Sequence, residues 1–149
     1  MGYLGPACGF SLIELMVSLA IAAVLTLAAL PAWQQHLQRG SRMQARAELV
    51  ATMLALEQHA LAALTFASAS DNSTPAGHWP RPVPPPPATP RHWLTATSCA
   101  GVELSRCVEV RATPVSPDLR CGSLVLRSNG EWLSLPASGG EPVHLPPEC

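Results

Sequence analysis

The sequence predicts an α+β fold, in which one long N-terminal helix precedes a small antiparallel β-sheet. Three observations support this class. Residues 10–67 are apolar or helix-forming and contain a single proline, Pro31. Residues 68–91 hold eight of the sixteen prolines, which cannot continue a helix. Residues 92–149 contain short runs rich in β-branched side chains, as strands do.

The first half of the helix, residues 10–31, has the length and composition of a membrane span. Residues 10–30 would rise about 31 Å as a helix, enough to cross the hydrocarbon of a bilayer. A cleaved secretory signal is the competing interpretation, but its apolar core is usually about 7–15 residues long and follows basic residues. Residues 1–9 contain no Lys or Arg. We therefore predict a transmembrane segment over residues 10–31.

The second half, residues 32–67, is predicted to continue the helix with an amphipathic pattern. Proline and glycine weaken helices, so we expect soft points at Pro31 and Gly40. Apolar side chains recur at spacings of three and four. They are Leu49, Met53, Leu56, Ala60 and Leu64, widened by Val50, Leu54 and Leu61. Another face is expected to present Arg39, Arg42 and Arg46 to solvent or acidic neighbours, with DNA or anionic lipid as the alternative partner.

Residues 68–91 are predicted to form a semi-rigid connecting loop of extended polyproline geometry. Beyond it, HWLTATS and CVEVRATPV are expected to be strands, and SLVLRSNGEWLSL a β-hairpin. Asn129-Gly130 suits a two-residue type I′ turn. That turn would place Leu126 opposite Leu133 and Leu124 opposite Leu135, with the four leucines on one face.

Composition and cysteine spacing narrow the function. The formal net charge is −1, which argues against a general nucleic-acid binder. Five cysteines occur, and four of them follow residue 98, so two disulfides and an oxidising compartment are expected. Closely spaced pairs typical of zinc sites are missing from the sequence, and no pattern of catalytic residues is present. We therefore predict no metal, no cofactor and no enzyme activity.

Glu14 is the acid that interrupts the apolar run. A carboxylate at the bilayer centre costs roughly 2.5–3.5 kcal/mol, so a compensating role is expected. One interpretation is structural, because Ser11 and Glu14 have the spacing of a capping box. The other follows from a cut between Gly9 and Phe10, which would create an amine on Phe10. The Glu14 of one copy could then pair with the Phe10 amine of its neighbour and fix the axial register of two helices.

The stretch GFSLIELMVSLAIA resembles the N-terminal signature of type IV prepilins and pseudopilins. The resemblance implies that residues 1–9 are a leader, that a membrane peptidase cuts after Gly9, and that the new terminus, Phe10, is N-methylated. It also implies that Glu14 is the assembly carboxylate and that Pro31 is a characteristic proline of the helix. The fold implied is type IV pilin-like, with a head over residues 92–149.

The resemblance extends more weakly to RGSRMQARAELVATMLALEQ and to VRATPVSPDLRCGSLVLRSNGEW. In that family a cysteine that opens a strand pairs with one near the end of the chain. On this basis Cys121 is expected to pair with Cys149. Four cysteines allow three pairings, and the proximity of Cys99 to Cys107 suggests that these two close a small loop.

The function implied is structural, namely a minor pilin of a type IV pilus. Its expected partners are other pilin subunits, prepilin peptidase and the inner-membrane assembly platform. It would be held in the inner membrane with a periplasmic head, and later in an extracellular filament used in adhesion or motility. The alternatives are a pseudopilin of a type II secretion system, a DNA-uptake pilin, and a single-span periplasmic protein that does not assemble.

Overall fold

The computed structural model describes residues 11–69 and 71–149 and confirms the α+β class. One helix, α1 (Leu12–Ala63), has 52 residues and continues across Pro31 and Gly40. It begins two residues later and ends four residues earlier than the predicted range of 10–67. Eight strands follow it in the described part of the chain. They are β1 (Ala67–Ser68), β2 (Asp71–Pro75), β3 (Arg81–Val83), β4 (His92–Ser98), β5 (Val108–Pro114), β6 (Ser123–Arg127), β7 (Trp132–Leu135) and β8 (Val143–His144).

The strands form two antiparallel sheets. β1 and β2 make a short two-stranded ribbon, and the other six lie in the order β3-β4-β5-β6-β7-β8. Each strand of the larger sheet therefore pairs with its neighbour in sequence. β4 and β5 match the strands predicted from HWLTATS and CVEVRATPV.

The chain divides into two compact units, Met1–Gln38 and Arg39–Cys149. In the first unit, the structure describes residues 11–38. Across residues 11–69 and 71–149, no helix combines the length and the apolar character that a membrane span requires. The predicted transmembrane half at residues 10–31 is therefore not confirmed.

The second unit, Arg39–Cys149, includes the predicted head of residues 92–149, and the whole unit is called the head from here on. Its core lies between α1 and the larger sheet. Helix side chains pack there with side chains from three neighbouring strands, β4, β5 and β6. The helix contributes Ala45, Leu49, Met53 and Leu56, and the sheet contributes Leu94, Ala96, Val110, Ala112, Leu124 and Leu126. The predicted stripe is thus confirmed at its centre. It is wrong for Val50, Leu54, Leu61 and Leu64, which are exposed.

The β6–β7 hairpin is present, but its register is shifted by one residue from the prediction. The loop is Ser128-Asn129-Gly130, because the Arg127 amide donates to the Glu131 carbonyl (3.0 Å) and the Gly130 amide donates to the Arg127 carbonyl (2.9 Å). Only Gly130 of the three adopts a positive φ, of 84°. This geometry is typical of a three-residue loop, in which a turn is followed by a left-handed residue.

A shift of one residue moves side chains to the opposite face of a strand. Leu124 pairs with Ser134 and Leu126 with Trp132, while Val125 pairs with Leu133. The predicted face of four leucines is therefore wrong. Leu124 and Leu126 face the helix, and Leu133 lies on the other side of the sheet.

The proline-rich segment also differs from the predicted connecting loop. Residues 71–75 form β2, and residues 81–83 form β3. β3 pairs with β4 and is an edge strand of the larger sheet. Pro82 is tolerated there because an edge strand does not need every backbone donor.

Two disulfides tie the head together. Cys99 is bonded to Cys107 and Cys121 to Cys149. The Cys121–Cys149 bond is the pair that the resemblance implied, and the Cys99–Cys107 bond is the pair that proximity in sequence suggested. The first closes the β4–β5 loop, and the second ties the last residue of the chain to the start of β6.

Candidate processing and assembly site

The described N-terminal end of α1 is organised by the backbone of Ser11. Its carbonyl accepts hydrogen bonds from the amides of Glu14 (3.0 Å) and Leu15 (3.2 Å), so the helix begins at Leu12. Glu14 therefore lies in the first helical turn. A negative side chain is favoured at this position, because the helix dipole is positive at its N-terminus.

The side chains of Ser11 and Glu14 are both exposed. No hydrogen bond joins the Ser11 hydroxyl or the Glu14 carboxylate to another described residue. The reciprocal side-chain bonds of a capping box are therefore not formed with this part of the chain. The acid is left accessible to a partner.

The large apolar side chains of residues 12–37 are also exposed. Their exposed fractions run from 39% at Leu37 to 80% at Leu12. They include Leu12, Ile13, Leu15, Met16, Val17, Leu19, Ile21, Val24, Leu25, Leu27, Leu30, Trp33 and Leu37. Apolar surface on this scale marks a region that is covered by another molecule or by lipid.

The remaining predicted site residues fall in two places. Gly9 and Phe10, the predicted cleavage and methylation positions, lie outside the described residues. Pro31 lies inside α1. Of the predicted processing and assembly residues, Glu14 is therefore the one whose side-chain environment is described above.

Residues 6–30 match the family model of the prokaryotic N-terminal methylation motif. The chain carries a prepilin signal. The matched range includes Gly9, Phe10 and Glu14. It supports a type IV pilin or pseudopilin-type substrate of prepilin peptidase, and the motif suggests membrane anchoring before assembly. No curated protein and no solved structure is significantly similar to the chain.

The order of elements in this chain, a long N-terminal helix followed by antiparallel sheets, is consistent with a pilin fold. The proteins that carry this motif are structural subunits rather than an enzyme family. Among the described residues, no group of three His, Cys, Asp or Glu side chains could hold a metal ion.

The head contains a buried ion pair that joins α1 to the β5–β6 loop. The Arg42 guanidinium donates to both carboxylate oxygens of Asp118, with Nε–Oδ2 at 2.6 Å and Nη2–Oδ1 at 2.8 Å. Oδ1 also accepts from the amides of Arg120 (3.0 Å) and Cys121 (3.1 Å). Burial alone would raise the pKa of Asp118, but these donors, Arg42 first, hold the pKa below its ordinary value.

His92 is buried at the start of β4 and interacts electrostatically with this pair. Burial lowers the pKa of its imidazole. The Asp118 charge opposes that shift and the Arg42 charge adds to it. Within the described chain, His92 Nδ1 has no hydrogen-bond partner. A buried imidazole with a lowered pKa therefore interacts with a buried ion pair.

The predicted arginine face is not a single surface. Arg42 is buried, and the Arg46 guanidinium lies 5.1 Å from the centre of the Trp132 ring. Arg39 is exposed. Because Arg42 contacts Asp118 and Arg46 contacts Trp132, these three arginines do not form the solvated stripe that binding to DNA or anionic lipid would require.

Sequence reasoning expected an acidic neighbour or solvent for Arg42, and the neighbour is Asp118. It did not identify Asp118 as that partner, and it missed the burial of Arg42 and His92. Arg42 precedes Leu49 by seven residues, two turns of helix, and so lies on the buried face. The Ser116-Pro117-Asp118 stretch is a turn signal, and an aspartate in such a turn commonly accepts from amides two or three residues later. The ion pair itself has no local signal, because its partners are 76 positions apart.

Proposed function

We propose that this chain is a minor pilin of a type IV pilus, assembled into the filament after prepilin peptidase removes residues 1–9. The observation that carries the proposal is Glu14, which belongs to the methylation motif and lies exposed in the first turn of an apolar helix. The other partners proposed are further pilin subunits and the inner-membrane assembly platform.

The proposed mechanism begins with cleavage between Gly9 and Phe10, which creates an amine on Phe10. The Glu14 carboxylate of one subunit then pairs with the Phe10 amine of its neighbour. A charge that is costly when unpaired favours one alignment of the two helices over others. The exposed apolar side chains of residues 12–37 would be buried in the same step, which supplies the driving force.

The proposed location is the inner membrane, with the head on the periplasmic side, and afterwards the pilus outside the cell. The two disulfides support an oxidising compartment for the head. The small predicted head, residues 92–149, supports a minor subunit rather than the main one. A type II secretion pseudopilin carries the same motif, and it would be found in a periplasmic pseudopilus.

The test replaces Glu14 with Gln in the full-length protein. Membranes and sheared filaments are separated, and the N-terminus of the protein in each is determined by mass spectrometry. We expect wild-type protein in the filaments to start at methylated Phe10. We expect Glu14→Gln to be retained in the membrane and reduced at least tenfold in filaments, because the Phe10 amine loses its partner.

Glu57→Gln is the matched control, because Glu57 is an exposed glutamate farther along α1. It should enter filaments at the wild-type level. A mature protein that still begins at Met1, or equal incorporation of Glu14→Gln, would overturn the proposal. Recovery of processed protein from a periplasmic pseudopilus alone would identify the pseudopilin instead.

A further inference from the structure

The β5–β6 loop, residues 115–122, is anchored to α1 by the side chain of Asp118. Of residues 115–120, Asp118 is buried and the other five are exposed. A segment with so few buried side chains has a low local stability of its own. The attachment of this part of the loop to the helix therefore depends on the ion pair between Asp118 and Arg42.

His92 lies beside the point where this loop begins. It is the first residue of β4, and its backbone is paired with Pro114, the last residue of β5. The amide of Val115, the first residue of the loop, donates to the carbonyl of Arg91 (2.9 Å). The imidazole of His92 is therefore placed next to the loop by the backbone pairing of β4 and β5.

The surroundings of His92 do not suit a charged imidazole. The side chain is 4% exposed, and within the described chain its Nδ1 atom has no hydrogen-bond partner. Asp118 attracts a proton on His92, but its charge is already matched by Arg42, which repels that proton. The partners of His92 in the neighbouring strands, Val83 on β3 and Pro114 on β5, carry no charge. A proton on His92 would thus be a second positive charge beside Arg42.

We propose that His92 is an acid-sensitive switch, whose protonation releases the β5–β6 loop from α1 while the rest of the head stays folded. Release brings the imidazolium into contact with water and moves it away from the Arg42 guanidinium. The proposal concerns the head alone, so it goes beyond filament assembly and does not depend on it.

The direction of the switch follows from the burial of His92. Burial lowers the pKa of the imidazole below 6.5, and this effect is larger than the attraction by Asp118. In an opened loop the imidazole is solvated, so its pKa returns towards the ordinary value. The open form therefore binds the proton more tightly, and a fall in pH below about 6.5 favours opening.

The rest of the head is held by contacts that this proton does not touch. The core between α1 and strands β4, β5 and β6 is apolar. The disulfide from Cys121 to Cys149 holds the far end of the loop beside β6. Opening is therefore expected to be confined to the segment around Asp118.

The test is hydrogen–deuterium exchange of the full-length protein in detergent at pH 7.5 and pH 5.0, corrected for the effect of pH on chemical exchange. Peptides that cover the loop report on the amides of Val115, Arg120 and Cys121, which donate hydrogen bonds in the closed loop. We expect the protection of these amides to fall about tenfold at pH 5.0, because the opened loop takes up a proton at His92. Amides of β5 and β6 should change by less than about twofold.

Three variants separate the switch from general acid unfolding. His92→Gln removes the titrating group, so its loop should keep the same protection at both pH values. His144→Gln is the matched control, because His144 is an exposed histidine of the head, and it should behave as the wild type does. Asp118→Asn removes the charge that pairs with Arg42, so its loop should be poorly protected already at pH 7.5.

Four outcomes would overturn the proposal. They are no fall in the wild-type loop, an equal fall in β5 and β6, the same fall in His92→Gln as in the wild type, and full protection of the loop in Asp118→Asn at pH 7.5. The last outcome is informative even if His92→Gln does not fold.

Discussion

The Asp118 carboxylate uses both oxygens to hold two distant parts of the head together. It accepts two hydrogen bonds from Arg42 on α1 and two more from amides of its own loop. Removing one member of a buried pair is costly, because the other charge is left without a partner. Asp118 therefore fixes the β5–β6 loop to the helix.

We predict that Asp118→Asn lowers the free energy of unfolding by about 3 kcal/mol, because Arg42 stays buried without a counter-charge. The asparagine side-chain oxygen can still accept from the Arg120 and Cys121 amides. The double variant Arg42→Met/Asp118→Asn should recover most of the loss. Denaturant unfolding of the full-length protein in detergent measures both variants, and a double variant no more stable than Asp118→Asn would contradict this account.

As the pH falls, we expect the head to lose stability first through protonation of His92 and then through protonation of Asp118. The pKa of His92 lies below its ordinary value of 6.5, so the unfolded chain binds its proton at a higher pH than the folded protein does. Stability therefore rises with pH across that window and is lost as the pH falls below about 6.5. The lowered pKa of Asp118 has the same sign, with its loss beginning below an ordinary value of 3.8.

The measurement is the denaturation midpoint of the full-length protein between pH 7.5 and 4.5. We expect the midpoint to fall below pH 6.5 in the wild type, and less so in His92→Gln, which cannot take up the proton. Asp118 and Arg42 are the charged groups whose interactions with His92 accompany this step. An unchanged slope in His92→Gln would show that another group is responsible.

At the scale of elements, the helix and the strands follow from local patterns, whereas their exact registers do not. The sequence predicts β4, β5 and the β6–β7 hairpin, because strand composition and the Asn129-Gly130 turn signal are local properties. The register depends on which loop residue adopts the left-handed conformation. Gly130 alone does so, and this choice depends on pairing along both strands.

In the helix, too, the sequence predicts the features that depend on nearby residues and not those that depend on distant ones. Spacing alone identifies a stripe through Leu49, Met53 and Leu56. It does not show how wide the covered surface is, and so Val50 and Leu54 were wrongly included. The width depends on the sheet, which is built from residues far along the chain.

Gly122, just before β6, is a position at which a side chain cannot be accommodated. Its φ is +58°, and a Cβ atom there would overlap the Leu135 carbonyl oxygen. Gly101 has a similar φ of +71°, but a Cβ atom there would meet no other group within 4 Å. The two glycines therefore separate backbone strain from steric overlap.

We predict that Gly101→Ala lowers the free energy of unfolding by about 1 kcal/mol, which is the cost of a left-handed alanine. Gly122→Ala should cost several times more, because the β6–β7 pairing must also shift to clear the methyl group. Thermal unfolding of the two full-length variants measures the difference. Equal losses would mean that the overlap at Gly122 is relieved without disturbing β7.

At the scale of the whole molecule, the sequence establishes the order of the elements and the signal at the N-terminus. The motif over residues 6–30 is read directly from adjacent positions. The resemblance implied the Cys121–Cys149 pair, and proximity suggested Cys99–Cys107. The long-range contacts of the head cannot be predicted in this way. Arg42 and Asp118, for example, are 76 positions apart, and no sequence pattern links them.

The disulfide between Cys121 and Cys149 determines what happens if a protease cleaves the exposed segment 137–144. If a protease cut the backbone there, the terminal fragment would stay attached to the rest of the protein through sulfur. The nicked protein would keep its size on a gel until a thiol reagent was added. The head would therefore keep its last residues after such a cut.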